Sequence, residues 1–380
     1  QEKVEETDGK SHEPEPAGSS TKGEKGLEVA RQLHFACQQR GFPVEEPSAS
    51  DITVGPTLLS VSMKLESGAR LRPIESVRAD LAREVGVSNL YVENDPDRAY
   101  HIRFLVSREN REFPPLPEGR APLFDRKGNR YVGTYLGKTI DGEDFLTHVS
   151  SWPHMLVGGT SGSGKTTFIK SLLAQFTQIS SKYIDLVVID GKGEVDYIDF
   201  VDDGYFTEEY PDVVLGYDQV PEVMDWLVNQ EIQRRRESLV QLTREGDGEG
   251  RLTAKQLYYD AFQEGEEPIF APLVIVVDEF AELMATGKAD EFESRVQQIA
   301  QAGRSRLVHL ILATQRPDAS IVSGSIKANL DARVALRLPT HHDSATILGR
   351  QGAEDLLGKG DLIFQSSGQA PVRLQGYNVS

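Results

Sequence analysis

Residues 27–117 alternate between helical and extended patterns of hydrophobic positions. Two segments carry apolar residues at three-to-four-residue spacing, which predicts two amphipathic helices. The stripes are Leu27, Ala30, Leu33 and Cys37 in the first, and Ile74, Val77, Leu81 and Val85 in the second. Two other segments alternate apolar and polar positions, as half-buried strands do. Their apolar positions are Leu59, Val61, Met63 and Leu65 in one, and Tyr100, Ile102, Phe104 and Val106 in the other. We therefore expect a small α+β domain that ends in a proline-rich stretch.

Beyond residue 118 the pattern changes to short, almost continuously apolar runs. These runs lie at 155–159, 183–190, 273–278, 307–314 and 332–338. They are typical of parallel strands covered on both faces, so residues 118–380 are expected to form a doubly wound α/β domain. Two hairpin-like strands, at 361–365 and 371–375, follow near the end of the sequence.

The first 26 residues lack apolar periodicity and are rich in Glu, Lys, Gly, Pro and Ser. Such a composition buries too little apolar surface to order itself, so residues 1–26 are predicted to be a disordered tail. The sequence begins with glutamine and shows no leader, so we expect a fragment whose parent protein can carry a membrane anchor upstream. The single cysteine, Cys37, excludes an internal disulfide and fits a cytoplasmic location.

The charge balance restricts any nucleic-acid function. Acidic residues outnumber basic ones by 59 to 41, which gives a formal net charge of −18. This balance argues against a simple DNA-coating protein, because lysine and arginine make the phosphate contacts. A closed ring with basic loops toward its channel would meet the requirement while its outer surface stays acidic.

A glycine-rich motif follows the first apolar run. It fits G-x-x-x-x-G-K-[ST] at every position and is followed by Thr167. The motif is Gly159, Thr160, Ser161, Gly162, Ser163, Gly164, Lys165 and Thr166. Glycines let backbone N–H groups converge on phosphate oxygens, the lysine reaches the β- and γ-phosphates, and the threonine hydroxyl binds Mg²⁺. Because a strand precedes the motif and an apolar helix follows it, the motif predicts an ATP-binding RecA-like P-loop core. We expect Lys165 to extend from an exposed loop without a core contact.

The apolar run at 273–278 ends in two carboxylates, Asp278 and Glu279. In P-loop enzymes an aspartate at such a strand end organises Mg²⁺, and an adjacent glutamate can act as general base. A solvated strand terminus is the alternative interpretation. The P-loop favours the catalytic one, with Thr166 and Asp278 as metal ligands.

Polar residues also flank the run at 307–314. Gln315 follows Thr314 at the sheet edge expected to carry the P-loop, where its amide can hold the attacking water or sense the γ-phosphate. A strand-end cap is the alternative. Arg304 precedes the run, where a guanidinium can reach the nucleotide of a neighbouring subunit. A surface arginine is the competing interpretation.

Several segments resemble the motor core of the FtsK/SpoIIIE DNA translocases. The similarity is colinear from about Tyr135 onward and extends more weakly into the small domain, which resembles the α domain of that family. The matching segments are WPHMLV at 152–157, DEFAELM at 278–284, VHLILATQRP at 308–317, IKAN at 326–329, DS at 343–344 and LLGKGD at 356–361.

The resemblance implies a hexameric ring that hydrolyses ATP between subunits and pulls double-stranded DNA through its centre. The P-loop and the acidic pair keep the roles given above. Arg304 matches the arginine finger of the family, and Arg316 and Lys327 match positions on the DNA side of the channel. His341 stands where the family usually has a lysine, and Lys359 where a methionine is common.

Two other functions remain open. A type VII secretion ATPase shares the nucleotide chemistry and moves protein, although ATQRP at 313–317 and KAN at 327–329 look closer to the DNA pumps. A nucleotide-switched scaffold would not hydrolyse ATP, and Glu279 argues against it. The segment EIQRRR at 231–236 resembles a helical family segment, and its charges favour a solvated helix face.

Overall fold

The computed structural model describes residues 19–66, 71–117, 132–179, 184–190, 197, 213–215, 219–245, 253–254, 257–258, 260–261, 269–285 and 289–379. The chain forms two compact units, Gln1–Glu109 and Asn110–Ser380. The proline-rich stretch belongs to the second unit, because Asn378 N donates to Pro114 O at 2.8 Å. The sequence-based domain limits, 27–117 and 118–380, stay predictions. Within the described residues, no helix has the length and apolar composition required to cross a bilayer.

Among its described residues, the first unit has a four-stranded antiparallel sheet and three α-helices. In chain order its elements are α1 (Ser19–Gln39), β1 (Ile52–Val54), β2 (Leu58–Lys64), α2 (Leu71–Ser76), α3 (Arg78–Val85), β3 (Leu90–Asn94) and β4 (His101–Ser107). The strand order is β1-β2-β4-β3. The predicted stripe of α1 is part of the core, where Ala30, Leu33 and Cys37 are fully buried. This is the α+β module that the hydrophobic pattern indicates.

Strand β3 was not predicted, and three further details of the first unit differ from the sequence-based expectation. Helix α1 begins at Ser19 rather than near residue 27, because backbone hydrogen bonds extend a helix beyond its buried stripe. The rest of the predicted tail, residues 1–18, lies outside the described residues. The second predicted helix is two helices that meet at Val77. Tyr100 precedes β4, with a left-handed φ of 63° and 82% exposure, so it is a turn residue.

The second unit contains one large sheet and seven helices among its described residues. Its strands are β5 (Gly133–Thr139), β6 (Asp144–His148), β7 (His154–Gly158), β8 (Asp185–Asp190), β9 (Val213–Leu215), β10 (Leu273–Asp278), β11 (Val308–Thr314), β12 (Ala332–Leu336), β13 (Asp361–Gln365) and β14 (Val372–Gln375). Its helices are α4 (Lys165–Phe176), α5 (Val220–Trp226), α6 (Ile232–Glu245), α7 (Phe280–Met284), α8 (Ala289–Gly303), α9 (Gly324–Asn329) and α10 (His341–Leu348).

The sheet order is β6-β5-β14-β13-β12-β7-β11-β10-β8-β9. The six strands from β12 to β9 are parallel, and the remaining four continue the sheet in antiparallel fashion. Apolar residues of α4 cover one face, and those of α5, α8 and α10 cover the other. All five predicted apolar runs are strands of the parallel part, which confirms the doubly wound α/β core. Strands β5, β6 and β9 were not predicted.

This topology brings the chemically important segments to one edge of the sheet. Parallel strands end at the same edge, so the segments after β7, β10 and β11 lie side by side. The register pairs Asp278 with Asp190 and Thr314 with Gly158 across neighbouring strands. The P-loop, the acidic pair and the Thr314-Gln315 step therefore converge.

Candidate nucleotide-binding site

The P-loop is a tight turn between β7 and α4. Gly162 and Gly164 have positive φ values of 73° and 101°, which side-chain-bearing residues rarely adopt. A Cβ atom on Gly164 would also lie 2.5 Å from Gly360 N, in the loop before β13. The loop is anchored at its start, since Gly159 N donates to Thr314 O at 3.1 Å and Thr160 N to Arg337 O at 3.2 Å. Its glycines are therefore required by backbone geometry.

The loop and the first turn of α4 expose N–H donors. Within the described residues, the N–H groups of Gly162, Gly164, Lys165, Thr166 and Thr167 donate to no acceptor, whereas that of Ser163 donates to Thr160 O. The first N–H groups of a helix lack intrahelical partners, and the helix dipole places positive charge there. Converging donors of this kind bind anions such as phosphate.

Lys165 is buried, contrary to the sequence-based expectation. It is 3% exposed, and its ammonium is paired with the Asp278 carboxylate. Asp278 also accepts a hydrogen bond from the Tyr197 hydroxyl at 2.6 Å. The loop is exposed at Ser161 and Gly162, but the expectation that Lys165 makes no core contact was wrong, because the parallel sheet places the end of β10 next to the start of α4.

Glu279 has an unusual backbone and a fixed side chain. Its φ and ψ of 54° and 52° are left-handed, and the residue is 2% exposed. The carboxylate accepts hydrogen bonds from the Thr314 hydroxyl at 3.0 Å and from Gln315 N at 2.9 Å. It also lies 4.0 Å from the Lys165 ammonium. Glu279 is thus not a solvated strand terminus. Hydrogen-bond donors at the end of the neighbouring strand, β11, fix the position of its carboxylate.

Sequence reasoning missed two residues around this site, Tyr197 and Asp190, and gave no role to a third, Thr314. Thr314 is fully buried and bonds Glu279, whereas we had singled out the amide side chain of Gln315, which contributes its backbone N–H here. Tyr197 bonds Asp278 from a segment without a recognisable motif. Asp190 ends β8 beside Asp278 and is buried. The signal for Asp190 was present, since it ends an apolar run as Asp278 does.

Two oxygen donors predicted to bind Mg²⁺ lie in suitable elements. Thr166 is in the first turn of α4, and the Asp278 carboxylate is at the end of β10. The described residues contain no cluster of three or more His, Cys, Asp or Glu side chains able to hold a metal ion by themselves. Mg²⁺ is commonly held by one or two protein oxygens together with substrate phosphates and water. The donor set fits such a shared ion.

Arg304 is not near the P-loop of its own chain. It follows α8 and precedes β11, so it lies at the amino end of a strand whose carboxyl end contacts the P-loop. A seven-residue strand spans about 20 Å, which separates the two sites. The Arg304 side chain is 71% exposed, with its guanidinium 3.5 Å from Asp331.

The predicted DNA-side residues lie beyond β11. Arg316 is 65% exposed and its guanidinium lies 3.3 Å from the Glu282 carboxylate. Lys327 is half-buried in α9, where its carbonyl accepts a hydrogen bond from Arg333 at 2.6 Å. His341 is exposed at the start of α10 and lies against His342 with ring centroids 4.0 Å apart.

The charged segment at 231–236 is only partly a solvated helix face. Arg235 is fully buried, with Nε 2.5 Å from Glu231 and Nη1 2.7 Å from Ala271 O. Burial raises the pKa of Glu231, but hydrogen bonds and charge from Arg234 and Arg235 outweigh it, so the pKa is lowered. The expectation of a solvated face was wrong for Arg235, because Glu231 four residues earlier neutralises its charge.

A P-loop at the carboxyl edge of a parallel sheet, with two buried carboxylates beside its lysine, defines a P-loop ATPase. The profile of the FtsK/SpoIIIE family matches residues 124–319. The chain belongs to this family.

Curated relatives extend the similarity to most of the chain. It is 30% identical to the DNA translocase FtsK of Pasteurella multocida over 97% of the chain and 40% of that protein. It is 29% identical to the DNA translocase FtsK of Haemophilus influenzae over 90% of the chain and 67% of that protein. The chain thus spans about two fifths to two thirds of the length of these relatives.

Solved structures share the fold. The pCW3 conjugation coupling protein TcpA, in a monomer form with ATPγS, superposes with a TM-score of 0.56 at 22% identity, over 93% of this chain and 95% of that one. The cytoplasmic domain of the type VII secretion ATPase EccC from Thermomonospora curvata superposes with a TM-score of 0.55 at 25% identity, over 70% of this chain and 30% of that one.

Proposed function

We propose that the chain is an ATP-driven motor that moves along double-stranded DNA as a ring-shaped oligomer, with a hexamer as the expected assembly. One observation carries the proposal. The buried Lys165, Asp278 and Glu279 cluster lies at the P-loop of a chain that is 30% identical to a DNA translocase over 97% of its length.

Nucleotide binding uses the free N–H groups of the P-loop and the Lys165 ammonium. Because this ammonium contacts Asp278, its move to the β- and γ-phosphates would release one oxygen of that carboxylate. Tyr197 keeps the other oxygen in place. Asp278 and the Thr166 hydroxyl would then hold Mg²⁺. When bound, Mg²⁺ neutralises charge on the phosphate oxygens during phosphoryl transfer.

Glu279 is the group that orients the attacking water and accepts its proton. Its carboxylate is fixed by the Thr314 hydroxyl and the Gln315 N–H, so little reorganisation is needed during the reaction. A buried carboxylate within 4.0 Å of the phosphate-binding lysine is suitably placed for this task. The Gln315 side chain is the second group able to hold the water or sense the γ-phosphate.

Arg304 acts on the nucleotide of a neighbouring subunit. Its position at the opposite edge of the sheet excludes action on its own P-loop and leaves its exposed guanidinium available to a neighbour. An arginine at the developing γ-phosphate charge contributes about 10³–10⁵ in rate. Arg304→Ala and Lys165→Ala should each be nearly inactive for different reasons.

Mixing the two variants tests this assignment. An Arg304→Ala subunit keeps a functional P-loop, and a Lys165→Ala neighbour supplies the missing guanidinium. ATPase activity should therefore partly return in mixed rings. Full activity of Arg304→Ala alone, or no recovery in rings that demonstrably contain both variants, would refute action between subunits.

Duplex DNA is the proposed track, with Arg316 and Lys327 contacting its phosphates. ATPase activity should rise several-fold or more on adding duplex DNA. Protein transport is the second candidate, supported by the similarity of the fold to EccC at a TM-score of 0.55 and 25% identity. A secretion ATPase would hydrolyse ATP without responding to DNA, and a scaffold would bind ATP without turnover. Either result would replace the DNA proposal.

A further inference from the structure

The turn that carries Arg304 has a tightly constrained backbone. Residues Arg304–Arg306 form a single 3₁₀ turn between α8 and β11. On its amino side, a Cβ atom on Gly303 would lie 2.8 Å from Val308 O, which leaves no room for a side chain. On its carboxyl side, Leu307 has a left-handed φ of 57°, a strained conformation for a residue with a side chain. Such a backbone persists only where surrounding contacts hold it in place.

A buried guanidinium supplies contacts of this kind. Arg235 lies in the first turn of α6 and is fully buried. Its Nη1 donates to Arg306 O at 3.2 Å, to Leu307 O at 3.5 Å and to Ala271 O at 2.7 Å. The guanidinium also lies over the ring of Phe270, with its Cζ 4.9 Å from the centroid. One side chain therefore joins α6, the segment before β10 and the turn that carries Arg304.

Two carboxylates compensate the buried charge of Arg235. Its Nε donates to Glu231 at 2.5 Å, and its Nη2 lies 3.7 Å from Asp185 at the start of β8. Glu231 ends a π-helical turn, Leu227–Glu231, which is a rare feature often found at functional sites. Replacing a buried ion pair by apolar residues of similar volume is often neutral or stabilising. Stability alone therefore does not account for this guanidinium, whereas its rigid array of donors suits the fixing of several carbonyl groups.

The reach of Arg304 depends on its backbone. Its side chain is 71% exposed, and its 3.5 Å contact with Asp331 is a surface ion pair, which holds a side chain only weakly. The turn therefore sets the point from which the guanidinium extends toward a neighbouring subunit.

We propose that Arg235 is a positioning residue for Arg304, because it fixes the turn from which Arg304 reaches the nucleotide of the neighbouring subunit. The inference rests on the proposed function of Arg304 between subunits. It assigns to Arg235 an effect on ATP hydrolysis in the next subunit rather than in its own.

Steady-state ATPase kinetics of Arg235→Met in the full chain test this role. Methionine is an unbranched apolar side chain without donors, and Glu231 keeps two hydrogen bonds from Arg234, at 2.7 and 2.8 Å. Because a misplacement of about 1 Å can cost about a hundredfold in rate, kcat should fall about 10- to 100-fold. The KM for ATP should change less than about twofold, since the P-loop of the same subunit is intact. Arg234→Met, which removes the exposed partner of the same carboxylate, is the matched control and should keep kcat within about twofold.

Mixed rings separate positioning from a general loss of structure. Arg235→Met subunits keep a functional P-loop and Lys165→Ala subunits keep both arginines, so their mixture should regain ATPase activity. Arg235→Met mixed with Arg304→Ala should show no more than the average of the two, because neither presents a correctly placed guanidinium. The double variant Arg235→Met/Arg304→Ala should be no slower than Arg304→Ala alone, since changes to one functional unit are not additive.

Three results would overturn the positioning role while Arg304→Ala is inactive. They are a parent-like kcat of Arg235→Met, a further loss of rate in the double variant, and no recovery with Lys165→Ala in rings that contain both. Full activity of Arg304→Ala would instead overturn the proposed action between subunits. If urea denaturation shows that Arg235→Met does not fold, Arg235→Lys takes its place in the same measurements. Its ammonium keeps the charge beside Glu231 but lacks the planar array of donors, so the same losses and the same recovery are expected.

Discussion

Replacing Lys165 should destabilise the second unit as well as abolish ATP turnover. Lys165, Asp278 and Glu279 are 3%, 7% and 2% exposed, so Lys165→Ala leaves two adjacent buried carboxylates without the ammonium. Removing one partner of a buried pair costs about 3–5 kcal/mol. Asp278 retains the Tyr197 hydroxyl and Glu279 retains its Thr314 and Gln315 donors, so we expect a loss of about 1–3 kcal/mol.

A double-mutant cycle with Asp278→Asn isolates the pair. The free energy of unfolding is measured by urea denaturation for the parent, both single variants and the double variant. Because Asp278→Asn removes one of the two carboxylate charges, the double variant should be more stable than Lys165→Ala alone. The coupling energy should be about 1–3 kcal/mol. Lys170→Ala on the same helix is the matched control, with an expected change within about 0.5 kcal/mol.

Additivity of the two single changes would refute this reasoning. If their effects sum to within about 0.5 kcal/mol, the Lys165 and Asp278 contact contributes nothing measurable. If Lys165→Ala has the same free energy of unfolding as the parent, the lysine does not stabilise the fold and behaves as an exposed loop residue would. Loss of turnover with full stability would then reflect phosphate binding alone.

Three further predictions concern catalysis, DNA binding and pH. Glu279→Gln should retain ATP affinity and lose turnover at least about a hundredfold; a parent-like rate would exclude a general base. Arg316→Ala and Lys327→Ala should each weaken binding to all duplex sequences. Each should also reduce the slope of the logarithm of the DNA-binding constant against the logarithm of the salt concentration by about one, and an unchanged slope would show that the residue does not contact DNA phosphates. Burial, partly offset by Arg235, raises the pKa of Asp185 to about 6. The folded protein then keeps a proton on Asp185 that the unfolded protein loses, so the contribution of this group to the free energy of unfolding should decline as the pH rises from about 4 to 6. The stability of the parent relative to Asp185→Asn, measured by urea titration, should fall over that range.

The parallel core could be predicted because its strands are buried on both faces. Residues 273–277 are all buried, so their sequence is continuously apolar up to Asp278. The P-loop could be predicted because its glycines are imposed by local geometry. Edge strand β6 was missed because, unlike the core strands, it is not buried on both faces. None of its residues is fully buried, so its sequence shows no apolar run.

The contacts within the site could not be predicted from local patterns. Lys165 meets Asp278 across 113 positions and Tyr197 meets Asp278 across 81. Such pairs follow from strand order, which hydrophobic periodicity does not specify. Arg235 is a different case, because its positive charge led us to predict a solvent-exposed side chain. The spacing of four from Glu231 was the available signal for a paired, buried guanidinium.

Short contacts join the proposed water-activating residue to the proposed DNA contact. Arg316 N donates to Thr314 Oγ1 at 3.0 Å, and the same hydroxyl donates to Glu279 Oε1 at 3.0 Å. The Arg316 guanidinium also lies 3.3 Å from Glu282 in α7, the helix that begins directly after Glu279. A DNA phosphate at Arg316 would compete with Glu282 for this guanidinium. Because the backbone of Arg316 shares a hydroxyl with Glu279, any accompanying shift would alter the donors that hold the proposed water-activating carboxylate. Such a shift would couple the proposed DNA binding to hydrolysis without a long pathway.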